Sequence, residues 1–207
     1  MHLWFTSNLA RFPLARRSGT NSIGSESNKG LQMDLEFVQA DPERHLKILL
    51  DFNIAYINWA GDCVQEHFGL SLPSLLGMPI SDYARSSLDK LYEETPPHGI
   101  FYIAFNGEVA LGMGGLRRMR DGVGEIKRIY VSPTSRGGGL GAKILDQLMR
   151  DAKSYGYDEI MLETGPFMTS AHPIYEAAGF VDVPPYAEAE VPEALRHDWR
   201  FMRCQLS

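Results

Sequence analysis

Residues 125–164 read EIKRIYVSPTSRGGGLGAKILDQLMRDAKSYGYDEIMLET, and this stretch limits the fold more tightly than any other. A run rich in β-branched residues stops at Pro133, and glycines follow at 137, 138, 139 and 141. Apolar residues then recur at three- and four-residue steps: Ile144, Leu145, Leu148, Met149 and Ala152. The pattern is a strand, a glycine loop and an amphipathic helix. Gly156 closes the helix and "YDEIMLETG" supplies the next strand. Strand, helix and strand in so short a path require one right-handed crossover between parallel strands.

The flanking segments set that crossover inside a larger sheet. "LEFVQA" (35–40) predicts a first strand, and Asp41-Pro42 signals a helix start. The helix then runs through "ERHLKILLDFNIAYINWAGDCVQEHF" and ends near Gly61 or Gly69. A second helix, "SDYARSSLDKLYEE", stops at Pro96 and Pro97. "GIFYIAFNGEVALGMGGLRRM" reads as two strands around an Asn106-Gly107 hairpin turn. After residue 164 come a short helix, "TSAHPIYEAAG", and the strands "FVDV" and "DWRFMRCQL". The order β, α, α, β, β, β, α, β, α, β, β predicts a mixed α/β fold. Its sheet is mostly antiparallel, with one parallel crossover, in a single domain over residues 33–207.

Composition narrows the function classes. With 207 residues and 44% hydrophobic content the chain suffices for one core. A net charge of −6 argues against a nucleic-acid partner, which needs a basic face. Cys63 and Cys204 have no CxxC spacing, and the six histidines never form HExxH, so neither a disulfide framework nor a metal site is expected. No apolar run approaches the ~20 residues that span a bilayer, so no membrane partner is expected. Residues 1–32 are polar and low in complexity, with Arg11, Arg16, Arg17 and Lys29 against the single acid Glu26. They are expected to be a disordered leader: either a transit peptide or an extension ahead of Met33. A cytoplasmic location is expected, with the mitochondrion as the alternative that such a leader raises; monomer and homodimer both stay open.

Glycine gives up the most backbone freedom on folding, so four at a helix start call for an explanation. The first amides of a helix lack intrahelical partners, and the helix dipole adds positive charge there. Without Cβ atoms in the way, a diphosphate can reach those amides, with Arg136 adding a cation. Gly137, Gly138, Gly139, Leu140, Gly141 and Ala142 are therefore the expected cradle. A nucleotide-hydrolysing loop would need Gly-Lys-Ser/Thr, whereas Gly141 precedes Ala142, Lys143 and Ile144. A nicotinamide-dinucleotide fingerprint is formally present as Gly137-x-Gly139-x-x-Ala142, but a Ser-Pro-Thr-Ser-Arg spacer parts it from the strand.

The third reading joins Arg136-x-x-Gly139-x-Gly141 to "EIKRIYVSP" before it and Ala171-x-x-Ile174-Tyr175-x-x-x-Gly179-Phe180 after it. In these motifs the chain resembles the GNAT superfamily of acyl-CoA-dependent N-acetyltransferases, specifically over 125–183 and in element order from about 35 onward. The resemblance implies acetyl-CoA in the cradle and direct acetyl transfer to an amine of a small molecule or peptide. It also implies that the strand ending in Ile129, Tyr130 and Val131 splays from its neighbour and offers backbone groups to the pantetheine. Tyr175 stands where the superfamily places an acid for the coenzyme's sulfur. Many relatives carry an asparagine where this chain has Met168, so a cofactor-binding sensor without turnover stays open beside the enzyme.

An amine with a pKa near 10.4 needs a base. Glu125, opening a strand with an unusual run of charges, is the candidate for it. Residues 34–100 hold eleven acids and four bases, a field that would draw a cationic acceptor. Tyr56, Trp59 and Asp62, within two turns of one helix, and Tyr186, after "DVPP", are the expected acceptor wall.

Overall fold

In the computed structural model, which describes residues 34–92 and 95–206, seven strands among the described residues form one sheet. They are β1 (Leu35–Gln39), β2 (Ile100–Asn106), β3 (Val109–Arg120), β4 (Val123–Val131), β5 (Glu159–Thr164), β6 (Val181–Val183) and β7 (Arg200–Gln205). The helices are α1 (Leu46–Phe68), α2 (Leu72–Leu76), α3 (Ile80–Tyr92), α4 (Leu140–Ser154) and α5 (His172–Ala177). The strand order is β1-β2-β3-β4-β5-β7-β6. Only β4 and β5 pair in parallel, joined through α4 as the crossover required. The leader expected over residues 1–32 lies outside the described residues. Among the described residues no helix is long and apolar enough to cross a membrane.

Every predicted element is present, and the fold adds α2 and two single 3-10 turns, Pro133–Ser135 and Glu193–Leu195. The five residues of α2 are too few to show a periodicity, so only the folded chain reveals that helix. The Asp41 carboxylate accepts the amides of Glu43 (2.9 Å) and Arg44 (2.8 Å), so it caps a separate turn, and α1 begins only at Leu46. Gly61 stays helical and Gly69, at φ 67°, ends α1. The first hairpin turns one residue later than expected: Asn106 still pairs with Val109, leaving Gly107 and Glu108 as the loop. Gly107 has φ 58°, which suits the first loop position of a II′-type turn.

Apolar faces decide the layers. The inner side of α4 buries Leu140, Ile144, Leu145, Leu148 and Ala152 against Leu116, Ile126, Ile160 and Met202 of the sheet, and α5 joins them through Ile174 and Tyr175. Full burial of each leucine or isoleucine contributes about 1.5–3 kcal/mol, so packing anchors α4 well beyond its intrinsic propensity. On the opposite face Leu49 of α1 and Leu88 of α3 meet Phe101, Ile103, Met113 and Tyr130. Buried Asn53 ties these two helices together by donating to the Ala84 carbonyl (2.7 Å) and the Ser87 hydroxyl (3.0 Å).

The sheet opens in one place. β4 pairs with β5 only over Val123–Glu125, opposite Glu159–Met161. On its other edge the register with β3 slips between Gly115↔Lys127 and Met113↔Tyr130, which leaves one extra residue in β4. Arg128 sits in that bulge with φ 58°. A bulge bends and twists its strand, and beyond Glu125 this one leaves its parallel neighbour. Gly112 makes the bend sterically feasible, because a Cβ there would lie 2.5 Å from the Tyr130 carbonyl oxygen. Gly112→Ala should therefore destabilise the fold by about 1–3 kcal/mol, seen as a lower urea midpoint with an unchanged slope. A midpoint equal to wild type would show that the bulge yields without cost.

Candidate active site

A cavity of about 530 Å³ occupies the wedge where β4 departs from β5. Arg136, Gly137, Gly139, Leu140 and Gly141 line one end of it. Gly137 (φ 83°) and Gly139 (φ 74°) adopt backbone conformations that side chains strain. A Cβ built on Gly137, Gly138 or Gly139 would meet no atom within 4 Å, so the space before the loop is open. The first intrahelical bond of α4 runs from the Lys143 amide to the Gly139 carbonyl (3.1 Å). The amides of Leu140, Gly141 and Ala142 precede it and have no acceptor within the helix. The exposed Arg136 donates through Nε to the Val131 carbonyl (3.2 Å), which holds its guanidinium by the loop. Amide donors, open space and a fixed cation fit a diphosphate. Gly138 and Ala142 belong to this loop but not to the cavity wall. The turn Pro133–Ser135 stands between β4 and the first glycine, unlike a dinucleotide fingerprint, where that glycine ends the strand.

Ile129, Tyr130 and Val131 form the next part of the wall, with the β4 edge toward β5 unpaired along them. Tyr175 faces the same space from α5. Burial, reinforced by Tyr56, pushes its phenol well above the ordinary value, so at neutral pH it holds its proton. Met168 also lines the cavity; its sulfur accepts a weak hydrogen bond from the Thr164 hydroxyl (3.5 Å).

Charged groups fill the narrow end of the wedge. Glu125, the expected base, is fully buried behind the wall. Arg117 donates to it through Nε (2.7 Å), Lys127 lies 3.2 Å from its other oxygen, and the Tyr186 hydroxyl donates at 3.3 Å. Lys127, Glu163 and Glu190 are the charged groups of this cluster that reach the cavity. Lys127 lies 3.6 Å from Glu163 and 3.0 Å from Glu190. Burial disfavours its charge, but Glu125, Glu163 and Glu190 together outweigh burial and lift its pKa. Burial acts on Glu190 in the opposite sense to Lys127 and Arg117, which prevail and pull it down to about 2. In Glu163 burial wins over Lys127, and the carboxyl sits above its ordinary value. Such a carboxylate is the better proton acceptor of the two.

Of the expected acceptor residues, Tyr56 and Trp59 line the cavity beside Trp199, with Phe167 stacked edge-on between the two tryptophans (5.7 and 5.4 Å). Asp62 does not: helical spacing turns it outward and it is exposed. Tyr186 packs against Phe201 behind the wall, within reach of Glu125. Among the described residues, none of the acids in 34–100 lines the cavity, because α1, α2 and α3 turn their apolar faces inward. The residues the motif reading passed over are Glu163 and Glu190. A glutamate directly after the apolar run Ile160-Met161-Leu162 is a signal for the first; Glu190 lies in a loop and gives none.

Comparison with known proteins agrees with this geometry. Residues 70–180, more than half of the chain, match the acetyltransferase (GNAT) family. An IAA acetyltransferase of Azospirillum brasilense is 32% identical over 87 residues, covering 42% of this chain and 57% of that protein. An uncharacterized N-acetyltransferase of Escherichia coli is 30% identical over 122 residues, 56% of this chain and 70% of the relative. The chain thus spans between about half and about two thirds of these relatives' length. The crystal structure of the PaiA N-acetyltransferase from Thermoplasma acidophilum in complex with coenzyme A superposes with a TM-score of 0.62 at 18% identity, over 84% of this chain and all of that one. A glycine cradle at the start of α4, a β4 strand parted from β5 and the family match over both lead to one assignment: the chain belongs to the acetyltransferase (GNAT) family.

Proposed function

We propose that the protein transfers an acetyl group from acetyl-CoA to the amine of a small molecule or peptide by direct attack. The observation that carries this reading is that the diphosphate cradle, a protonated tyrosine and a carboxylate of raised pKa share one cavity. Acetyl-CoA would supply the activated thioester. Amides at the α4 N-terminus and Arg136 hold its diphosphate, and the free edge of Ile129–Val131 offers backbone groups to the pantetheine. Glu163 takes the proton of the incoming amine, and Tyr175 holds a proton for the departing sulfur. Glu125 serves as a positioning residue, fixing Lys127 beside Glu163. Neither cysteine lines the cavity, and burial pushes both thiols above their ordinary value, which supports transfer without a covalent enzyme intermediate.

The test is thiol release from acetyl-CoA with a panel of amines. Wild-type rate should rise with pH through the Glu163 pKa, since the deprotonated form is the base. Glu163→Gln should lower kcat by about 10²–10⁴-fold and flatten that limb. Glu125→Gln should instead shift the limb, by altering the charge around Lys127. A pH profile in Glu163→Gln that matches wild type would remove Glu163 from the mechanism.

Tyr175→Phe should lower kcat by no more than about 10²-fold, because a thiolate with a pKa near 8.5 leaves with little help. Acetyl-CoA affinity, read by calorimetry, should fall instead in Arg136→Ala. Failure of the wild-type chain to bind acetyl-CoA would end the enzyme reading and the sensor alternative together. Binding without turnover of any amine would favour the sensor.

A further inference from the structure

One cation on the cavity wall has a different environment from the others. Lys127 faces three carboxylates within 4 Å, and Arg136 stands by the diphosphate cradle. Arg128 lines the same cavity on the side of α1 and α3, and no carboxylate lies within ion-pair distance of it among the described residues. Its guanidinium lies over the rings of Tyr56 (5.6 Å) and Tyr83 (5.8 Å). Nη2 donates to the Tyr83 hydroxyl at a long 3.5 Å. Nε is shielded from solvent and has no acceptor. An arginine so placed has its charge cushioned by ring faces but its hydrogen-bonding fork largely unanswered.

The backbone pays for this position. Arg128 is the non-glycine residue at positive φ among the described residues, in the middle of a strand. Ile126 and Ile129 both pack toward α4, so regular alternation would have turned Arg128 to that side as well. The bulge reverses the phase and delivers Arg128 to the α1 and α3 side, next to Tyr130. Strain retained at a cavity wall calls for a function.

Taking acetyl transfer as proposed above, we infer that the acceptor carries a carboxylate as well as its amine, and that Arg128 binds it. The acceptor end of the cavity has two cations, Lys127 and Arg128, and two carboxylates, Glu163 and Glu190. An amine directed toward Glu163 and a carboxylate directed toward Arg128 match that division, whereas a polyamine would bring further positive charge to Arg128, on which Glu190 acts only from beyond ion-pair distance. A planar guanidinium fork suits the two oxygens of a carboxylate. Trp59 and Trp199 border the same space and accommodate an apolar side chain. The substrate class is an apolar amino acid or a peptide presenting both groups.

The experiment compares, by thiol release with the full chain and acetyl-CoA, leucine and phenylalanine with their carboxamides and with aminoalkyl phosphates. In wild type, kcat/KM for the free amino acids should exceed that for the carboxamides at least tenfold. In Arg128→Met this ratio should fall to near one, and Arg128→Lys should recover part of it. A merely structural role for Arg128 would lower both rates in proportion and leave the ratio unmoved, which would overturn the inference. Equal use of acids and amides by wild type, preference for the phosphates, or no turnover of the acids would overturn it as well. Calorimetry keeps the two readings apart: if acetyl-CoA binds and only neutral amines are acetylated, the carboxylate assignment alone fails, whereas absence of acetyl-CoA binding removes acetyl transfer itself.

Discussion

Glu125 is fully buried at the last position where β4 still pairs with β5, directly across from Arg117 of β3. A carboxylate in that place is tolerated only because Arg117 and Lys127 both reach it. Removing either cation would leave Glu125, Glu163 and Glu190 to share the one that remains, and breaking a buried pair in this way costs about 3–5 kcal/mol. Those cations in turn draw in Glu163 from β5 and Glu190 from the loop before β7. The result is a block of charge at the point where β4 and β5 stop pairing. The bulge at Arg128 carries β4 away from β5 just beyond it, so this block of charge forms the narrow end of the cavity.

The same strand serves two sides of the site through a change of phase. Up to Ile126, β4 alternates in the ordinary way; past the bulge, Ile129 and Val131 pack toward α4 while Arg128 and Tyr130 look toward α1 and α3. The α4 side is dense: five residues of that helix are buried, and its glycine turn is fixed by backbone geometry. Across the cavity, α2 lends Leu72 and Leu76 to the wall without a single buried residue. Regions with few buried contacts open at the lowest free energy, so the α4 side is the more rigid wall of the cavity and α2 the wall that opens most readily.

Much of this is legible in the order of the residues. Apolar residues at helical spacing, Pro and Gly punctuation and the glycine run placed nearly every element, and the motif around Arg136 pointed to the loop that lines one end of the cavity. What went unread has particular causes. Five residues cannot display a helical period, which hid α2. Asp41 caps whichever amides come near, and these proved to be those of a preceding turn. Glu125 was conspicuous as a charge in a strand, but its chemical availability depends on which neighbours bury it.

Local information decided the helices, the strands and the parallel crossover, because periodicity, capping and turn geometry act over a few residues and are written directly in their order. Three-dimensional packing decided which carboxylate faces the cavity, since Glu125, Glu163 and Glu190 come from segments far apart in the chain and differ only in what surrounds them. It also decided the side on which Arg128 emerges, because a single bulge set by contacts with β3 inverts the alternation that the residues alone would imply.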